Sequence, residues 1–208
     1  MLQIIGTRQD DHVTVNQTGN GVIKVHAAFL PTADDLKSFP AAQVDRIWII
    51  LCYGNDQAKI YSGVKKTAII DGGPGDDKLN CGGSNILLGG GGNDMLNGGS
   101  ARDILIGGDG EDRLVGNPGE DILIGGGTTY DSDPGRGPLA NDVALLQLLS
   151  DWNKGDPFAT RKLAMQSHIN LIVEDDGDKD VLTGASGEDW FVTGVGDVVT
   201  DVAGGKKK

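Results

Sequence analysis

The chain has 208 residues, 34 of them glycine, roughly twice the usual share. Asp plus Glu total 30 against 18 Lys plus Arg, a formal charge of −12. Such a surface repels nucleic acid and anionic lipid, which bind through Lys and Arg on phosphate, and its natural counter-charges are cations ahead of basic protein surfaces.

The opening MLQIIGTRQDD (1–11) has no charged region followed by an apolar run. It is not read as a signal peptide, and Met1 is left open as a start within a larger protein. No later run reaches the about 18 apolar residues that span a bilayer. Residues 1–71 alternate turns with β-branched strands: GTRQDDHVTV (6–15), GVIKV (21–25), RIWII (46–50), GNDQAKIYSG (54–63) and KTAII (66–70). This is read as wide, irregular parallel coils, with 31–43, including Asp34 and Asp35, bulging outward. Asp10, Asp11 and Asp56 are read as exposed turn acids rather than metal ligands. Cys52 and Cys81 are the only cysteines. They lack metal-type spacing and are expected as isolated core thiols, with a pair between them left open.

Residues 72–127 repeat. GGPGDDKLN (72–80), CGGSNILL (81–88), GGGGNDMLN (89–97), GGSARDILI (98–106), GGDGEDRLV (107–115) and GNPGEDILI (116–124) are nine residues each except the second, which has eight. Leu79, Leu87, Leu96, Leu105, Leu114 and Leu123 recur in register, with Asp77, Asn85, Asp94, Asp103, Asp112 and Asp121 two residues before them. Glycine suits a turn with positive φ or close backbone approach. The three residues that follow make a short strand whose central side chain points opposite to its neighbours. A leucine column therefore lines a narrow interior, the flanking residues face out, and stacked units give two ladders of parallel strands.

The pattern resembles the RTX, or haemolysin-type, calcium-binding repeat GGxGxDxUx, with U apolar. That resemblance implies an all-β, right-handed parallel β-roll or β-solenoid, with calcium held between turns two units apart by Asp carboxylates and backbone carbonyls. Hard oxygen donors favour calcium over zinc. Carried over by residue, one row contains Gly72, Gly75 and Asp77, then Gly89, Gly92 and Asp94, then Gly107, Gly110 and Asp112, with two well-formed sites expected. In the other row Ser84 and Ala101 replace glycine, Asn85 replaces Asp, and Arg102 adds positive charge. There a site between Asp103 and Asp121 is expected and one at Asn85 is not. The alternative for both rows is a solvated turn without metal.

Residues 128–172 break the rhythm. A loop, GGGTTYDSDPGRGP (125–138), leads to LANDVALLQLLSDWN (139–153), where Val143, Leu146 and Leu149 with Leu145, Leu148 and Trp152 make a broad apolar helical face. Asp156 and Pro157 suit the start of a second helix over 157–168, with Phe158, Leu163 and Met165 apolar. The two-helix insertion is read as a cap or flank for open strands rather than a partner groove. Over 173–208 the nine-residue rhythm resumes at Asp180 and Asp189, with GASGED (184–189) as a turn and GDVVTDV (196–202) as a further strand. Asp175, Asp176, Asp178, Asp180 and Asp189 form a second acidic region, either a solvated turn or a calcium site. Together with the repeats, the helical segment and EDDGDKDVLTGASGEDWF (174–191) are similar to the C-terminal ends of large bacterial secreted or surface proteins carrying RTX repeats.

No HExxH, GxSxG, GxGxxG or GxxxxGK[ST] pattern occurs, so no enzyme activity is expected. The expectation is a calcium-binding structural module of an exported protein, extracellular and bacterial. Two alternatives stand beside it: a self-assembling surface-layer, filament or adhesin subunit associating through its ends, and an accessory domain of a secreted hydrolase.

Overall fold

A computed structural model describes residues 1–30, 35–129 and 140–200. The first strands are β1 (Leu2–Ile5), β2 (His12–Gln17), β3 (Val22–Ala27), β4 (Leu36–Pro40), β5 (Ile47–Ile50), β6 (Gln57–Ile60) and β7 (Ala68–Pro74). The repeats supply β8 (Lys78–Asn80), β9 (Ile86–Gly91), β10 (Met95–Asn97), β11 (Ile104–Asp109), β12 (Arg113–Pro118) and β13 (Ile122–Ile124). After β14 (Gly127–Thr128) come helices α1 (Ala140–Trp152) and α2 (Phe158–Ile172). The chain then adds β15 (Val173–Glu174), β16 (Val181–Ser186), β17 (Trp190–Val192) and β18 (Val198–Val199). Among these residues no helix is long and apolar enough to cross a membrane.

The described strands form a seven-stranded sheet, β1-β5-β7-β9-β11-β13-β17, a nine-stranded sheet, β18-β16-β12-β10-β8-β6-β2-β3-β4, and the pair β14-β15. Pairing is parallel throughout the seven-stranded sheet and from β18 to β2 in the other. Successive repeat strands therefore fall in opposite sheets. Turns that leave the seven-stranded sheet make one flank, and turns that return to it make the other.

The repeat register explains the core. Leu79, Leu96, Leu114 and Leu182 are aligned in one sheet, and Leu87, Leu105, Leu123 and Phe191 in the other. All are buried in one cluster, and each such side chain contributes about 1.5–3 kcal/mol by leaving water.

Four expectations are corrected. Residues 36–40 do not bulge: they form strand β4, antiparallel to β3, which is itself antiparallel to β2. Alternating Val22, Lys24 and His26 against Ile23 and Val25 lets this meander bury one face. Second, flanks of the repeat strands point out in both sheets, but only those in the nine-stranded sheet meet solvent. Ile86, Leu88, Ile104, Ile106, Ile122 and Ile124 form a second buried cluster beneath Leu145, Leu148, Leu149, Trp152 and Met165. Of the two roles expected for the helices, cap or flank, the structure shows the flank: they cover a sheet face and not an open end. Third, Val143 and Leu163 lie outside the packed helical surfaces and are exposed. Fourth, Asp11 and Asp56 are buried rather than exposed. Residues 31–34 with Asp34, 130–138 of the predicted loop, and the GGKKK tail (204–208) lie outside the described residues. Cys52 and Cys81 are both free thiols.

Candidate metal sites in the turns

The first-flank turns at 6–11, 51–56, 72–77, 89–94 and 107–112 span six residues, each ending in an acid that the following strand fixes in place. The final aspartates make one continuous ladder. The Asp11 amide donates to Asp56 Oδ1 at 2.6 Å, Asp56 to Asp77 at 2.7 Å, Asp77 to Asp94 at 2.7 Å and Asp94 to Asp112 at 2.8 Å. The ladder continues from Asp112 to Asp180 at 2.8 Å and from Asp180 to Asp197 at 3.1 Å. A second ladder runs the opposite way through the preceding residue. The amides of Asn55, Asp76, Asn93 and Glu111 donate to the side chains of Asp10, Asn55, Asp76 and Asn93 at 2.8–2.9 Å. This is why Asp or Asn recurs at both of the last two turn positions.

The second flank carries a shorter ladder: Ala68 to Asn85 at 2.9 Å, Asn85 to Asp103 at 2.7 Å, Asp103 to Asp121 at 2.9 Å and Asp121 to Asp189 at 2.9 Å. Asp180 and Asp189, read from sequence as one acidic region, therefore stand on opposite flanks and extend the two repeat rows. Asp175 and Asp176 bond turn amides instead, and Asp178 is exposed.

The other carboxylate oxygen decides what these turns can hold. Oδ2 of Asp56, Asp77, Asp94, Asp112, Asp121 and Asp180 is buried without a hydrogen-bond partner. An orphaned buried acceptor is costly, and an anionic one more so. The pKa values move accordingly. Desolvation raises Asp77 to about 8, Asp94 to about 7, Asp112 to about 9, Asp121 to about 8, and Asp56 and Asp180 to about 6. Neighbouring carboxylates push the same way, and the ladder amides oppose them.

The glycines shape a cradle around these oxygens. A β-carbon on Gly72, Gly89 or Gly107 would overlap Oδ2 of Asp77, Asp94 or Asp112 respectively. At the fourth position Gly75, Gly92 and Gly110 have φ of 142°, 121° and 120°, and a β-carbon would strike the fourth-position carbonyl of the preceding turn. Only glycine fits both demands. No three acidic, His or Cys side chains converge among the described residues. Each cradle offers carboxylate oxygens amid backbone carbonyls, a hard-oxygen set that suits calcium and lacks the nitrogen and sulfur that zinc prefers.

The first flank thus fits calcium at Asp77, Asp94 and Asp112. The second fits less well. Asp103, raised to about 7 chiefly by desolvation, already has Oδ2 satisfied by the Gly99 amide at 2.6 Å. Ser84 turns its hydroxyl to the Arg102 carbonyl at 2.7 Å. Asp121 alone of the expected Asp103–Asp121 pair has a free buried oxygen. Sequence reasoning missed Asp197 and undervalued Asp11 and Asp56. Asp56 was detectable in YGND (53–56), which repeats the end of GGGGND (89–94). Asp11 differs from Asp56, because Thr7 satisfies both its oxygens; the amides of Asp180 and Gly194 do the same for Asp197.

The RTX calcium-binding nonapeptide repeat is matched in four copies, over residues 82–114, 97–128 and 172–198. No curated protein matches the chain, and no solved structure does. The matched segments stop short of Gly72–Asp77, yet Asp77 occupies the same ladder as Asp94 and Asp112. Residues 82–128 and 172–198 therefore carry RTX-type calcium-binding nonapeptide repeats.

Proposed function

We propose that the chain is a calcium-binding structural module of an exported bacterial protein, built as a right-handed parallel β-roll that folds when calcium binds. The observation carrying this reading is the column of buried, partnerless carboxylate oxygens on one flank, at Asp77, Asp94, Asp112 and Asp180. Those residues, with turn carbonyls around Gly72, Gly89 and Gly107, would hold the ions, and Asp121 and Asp189 would serve the other flank. Calcium, when bound, supplies positive charge and oxygen coordination where like carboxylates otherwise repel. The ladder amides hold one oxygen of each acid in place and leave the second directed into the cradle.

Glycine-rich turns lose much backbone entropy on folding, so metal-binding free energy becomes folding free energy. Extracellular calcium modules typically bind at about 10⁻⁴ to 10⁻³ M, which supports a secreted or cell-surface setting. The module is proposed as non-catalytic. Far-ultraviolet circular dichroism during titration of chelated protein should show strand signal rising in that concentration range. An identical folded spectrum in excess chelator would count against the proposal.

A further inference from the structure

The helical insertion interrupts a turn rather than joining two of them. The chain leaves the seven-stranded sheet after β13 and enters the nine-stranded sheet at β16, the step that Gly72–Asp77, Gly89–Asp94 and Gly107–Asp112 each make in six residues. The first half of the expected turn is present. The Gly108 amide donates to Gly125 O at 3.2 Å, and a β-carbon on Gly107 would overlap that same carbonyl oxygen and Asp112 Oδ2.

The second half comes from beyond the helices. In intact turns Gly75 N–H donates to Gly91 O at 2.7 Å and Gly92 N–H to Asp109 O at 2.8 Å. The series places Gly127 next, but Gly110 N–H donates to Asp176 Oδ2 at 2.8 Å. A side chain from the far end of the insertion replaces a backbone carbonyl. The neck is pinned by antiparallel pairing of Gly127–Thr128 with Val173–Glu174. Asp112 N–H then donates to Asp180 Oδ1 across this gap.

Two independent observations point to a ligand here. Asp112 and Asp180 are 2% and 0% exposed, and Oδ2 of each has no partner. A β-carbon on Gly125 would overlap Asp180 Oδ2 and stand 2.8 Å from Asp197 Oδ2, so two carboxylate oxygens border the space beside Gly125. A cleft lined by Asp109, Glu174, Asp175 and Asp176 adjoins the turn.

We propose that this split turn is a calcium site in its own right, with Asp112, the Gly125 carbonyl and Asp180 as donors and Asp176 as positioning residue. Metal binding there draws the two ends of the insertion together and commits α1 and α2 to the sheet face they cover. The inference rests on the calcium reading above, but it concerns a site that no uninterrupted repeat unit supplies.

Hydrogen–deuterium exchange on the intact chain, with calcium and with chelator, tests it. Peptides spanning 107–128 and 173–181 should gain protection in calcium, together with those spanning 72–96. Protection over 72–96 without any gain over 173–181 overturns the split-turn site and leaves the calcium reading intact. No gain anywhere overturns both. Calcium counting by equilibrium dialysis adds a second measure: Asp180→Asn and Gly125→Ala should each bind at least one ion fewer than the parent, while Asp178→Asn keeps the full count. Full counts in both of the first two variants would also overturn it.

Discussion

Asp77, Asp94, Asp112 and Asp121 each have one oxygen bound to a backbone amide and the other buried without a partner, and this division sets how the protein answers to pH. Without calcium, burial raises the folded-state pKa of Asp77, Asp94, Asp112 and Asp121 to between about 7 and about 9, against about 4 for an unfolded carboxyl. The folded chain therefore holds more protons than the unfolded chain between those limits. Stability from these groups is full below about pH 4 and is lost as pH rises through about 7–9. Urea unfolding in chelator should give a higher midpoint at pH 5 than at pH 8. In millimolar calcium the order should reverse, because protons then compete with metal for the same oxygens. A midpoint rising with pH in chelator would show that these oxygens are solvated rather than buried.

At the scale of elements, the helices are fastened to the turns of the second flank. Trp152 Nε1 donates to the Glu120 carbonyl, and Arg161, 3% exposed, pairs with the Glu120 carboxylate. Arg161 also donates to the carbonyls of Trp152 and Asp156, each at 2.8 Å, and its guanidinium lies 4.6 Å from the Trp152 ring centre. Partial desolvation would raise Glu120, but hydrogen bonds and charge from Arg102 and Arg161 outweigh it and hold the carboxyl below its ordinary value. Arg102 and Ser84, which depart from the repeat consensus, are thus docking residues: Arg102 donates to Lys154 O at 3.1 Å and Asn153 to Ser84 Oγ at 2.8 Å. Arg161→Met keeps an apolar stem over Trp152 but orphans those carbonyls, at a cost of about 1–3 kcal/mol. The expected outcome in calcium is a lower thermal midpoint and new binding of an apolar dye to the uncovered face of β9, β11 and β13. An unchanged midpoint would mean the latch contributes nothing.

What was readable from sequence follows the same scale. The leucine and aspartate columns of 72–124 stood out because neighbours in space are 17 or 18 residues apart in a fixed rhythm. The apolar flanks Ile86, Ile104 and Ile122 were also in view, alternating with Lys78, Met95 and Arg113 in the other sheet. Their meaning needed the covering helices. The junctions from Asp11 to Asp56 and from Asp112 to Asp180, 45 and 68 residues apart, carry no rhythm at all. Only the three-dimensional register joins them.

Across the whole molecule, partnerless carboxylates are unevenly distributed. The first-flank column runs from Asp56 to Asp180 and the second adds Asp121, whereas Asp11 at the N-terminal end has both oxygens satisfied by Thr7. That end is also rich in apolar burial: Val13, Val15, Ile23, Val25, Ile47 and Ile49 are all 1% exposed or less. Its antiparallel meander closes by local contacts that need no metal. The repeats from β8 to β13 rest on strands of three to six residues and glycine turns, so their stability leans most on cancelling the buried charge. Removing calcium should therefore loosen the chain from the repeats outward rather than all at once. Brief digestion with a broad-specificity protease in chelator, read by mass spectrometry, should cut first within 81–128 and leave fragments beginning at Met1 as the longest-lived products. Early loss of the segment before Ile60, with the repeats still intact, would reverse that order and place the metal-independent core elsewhere.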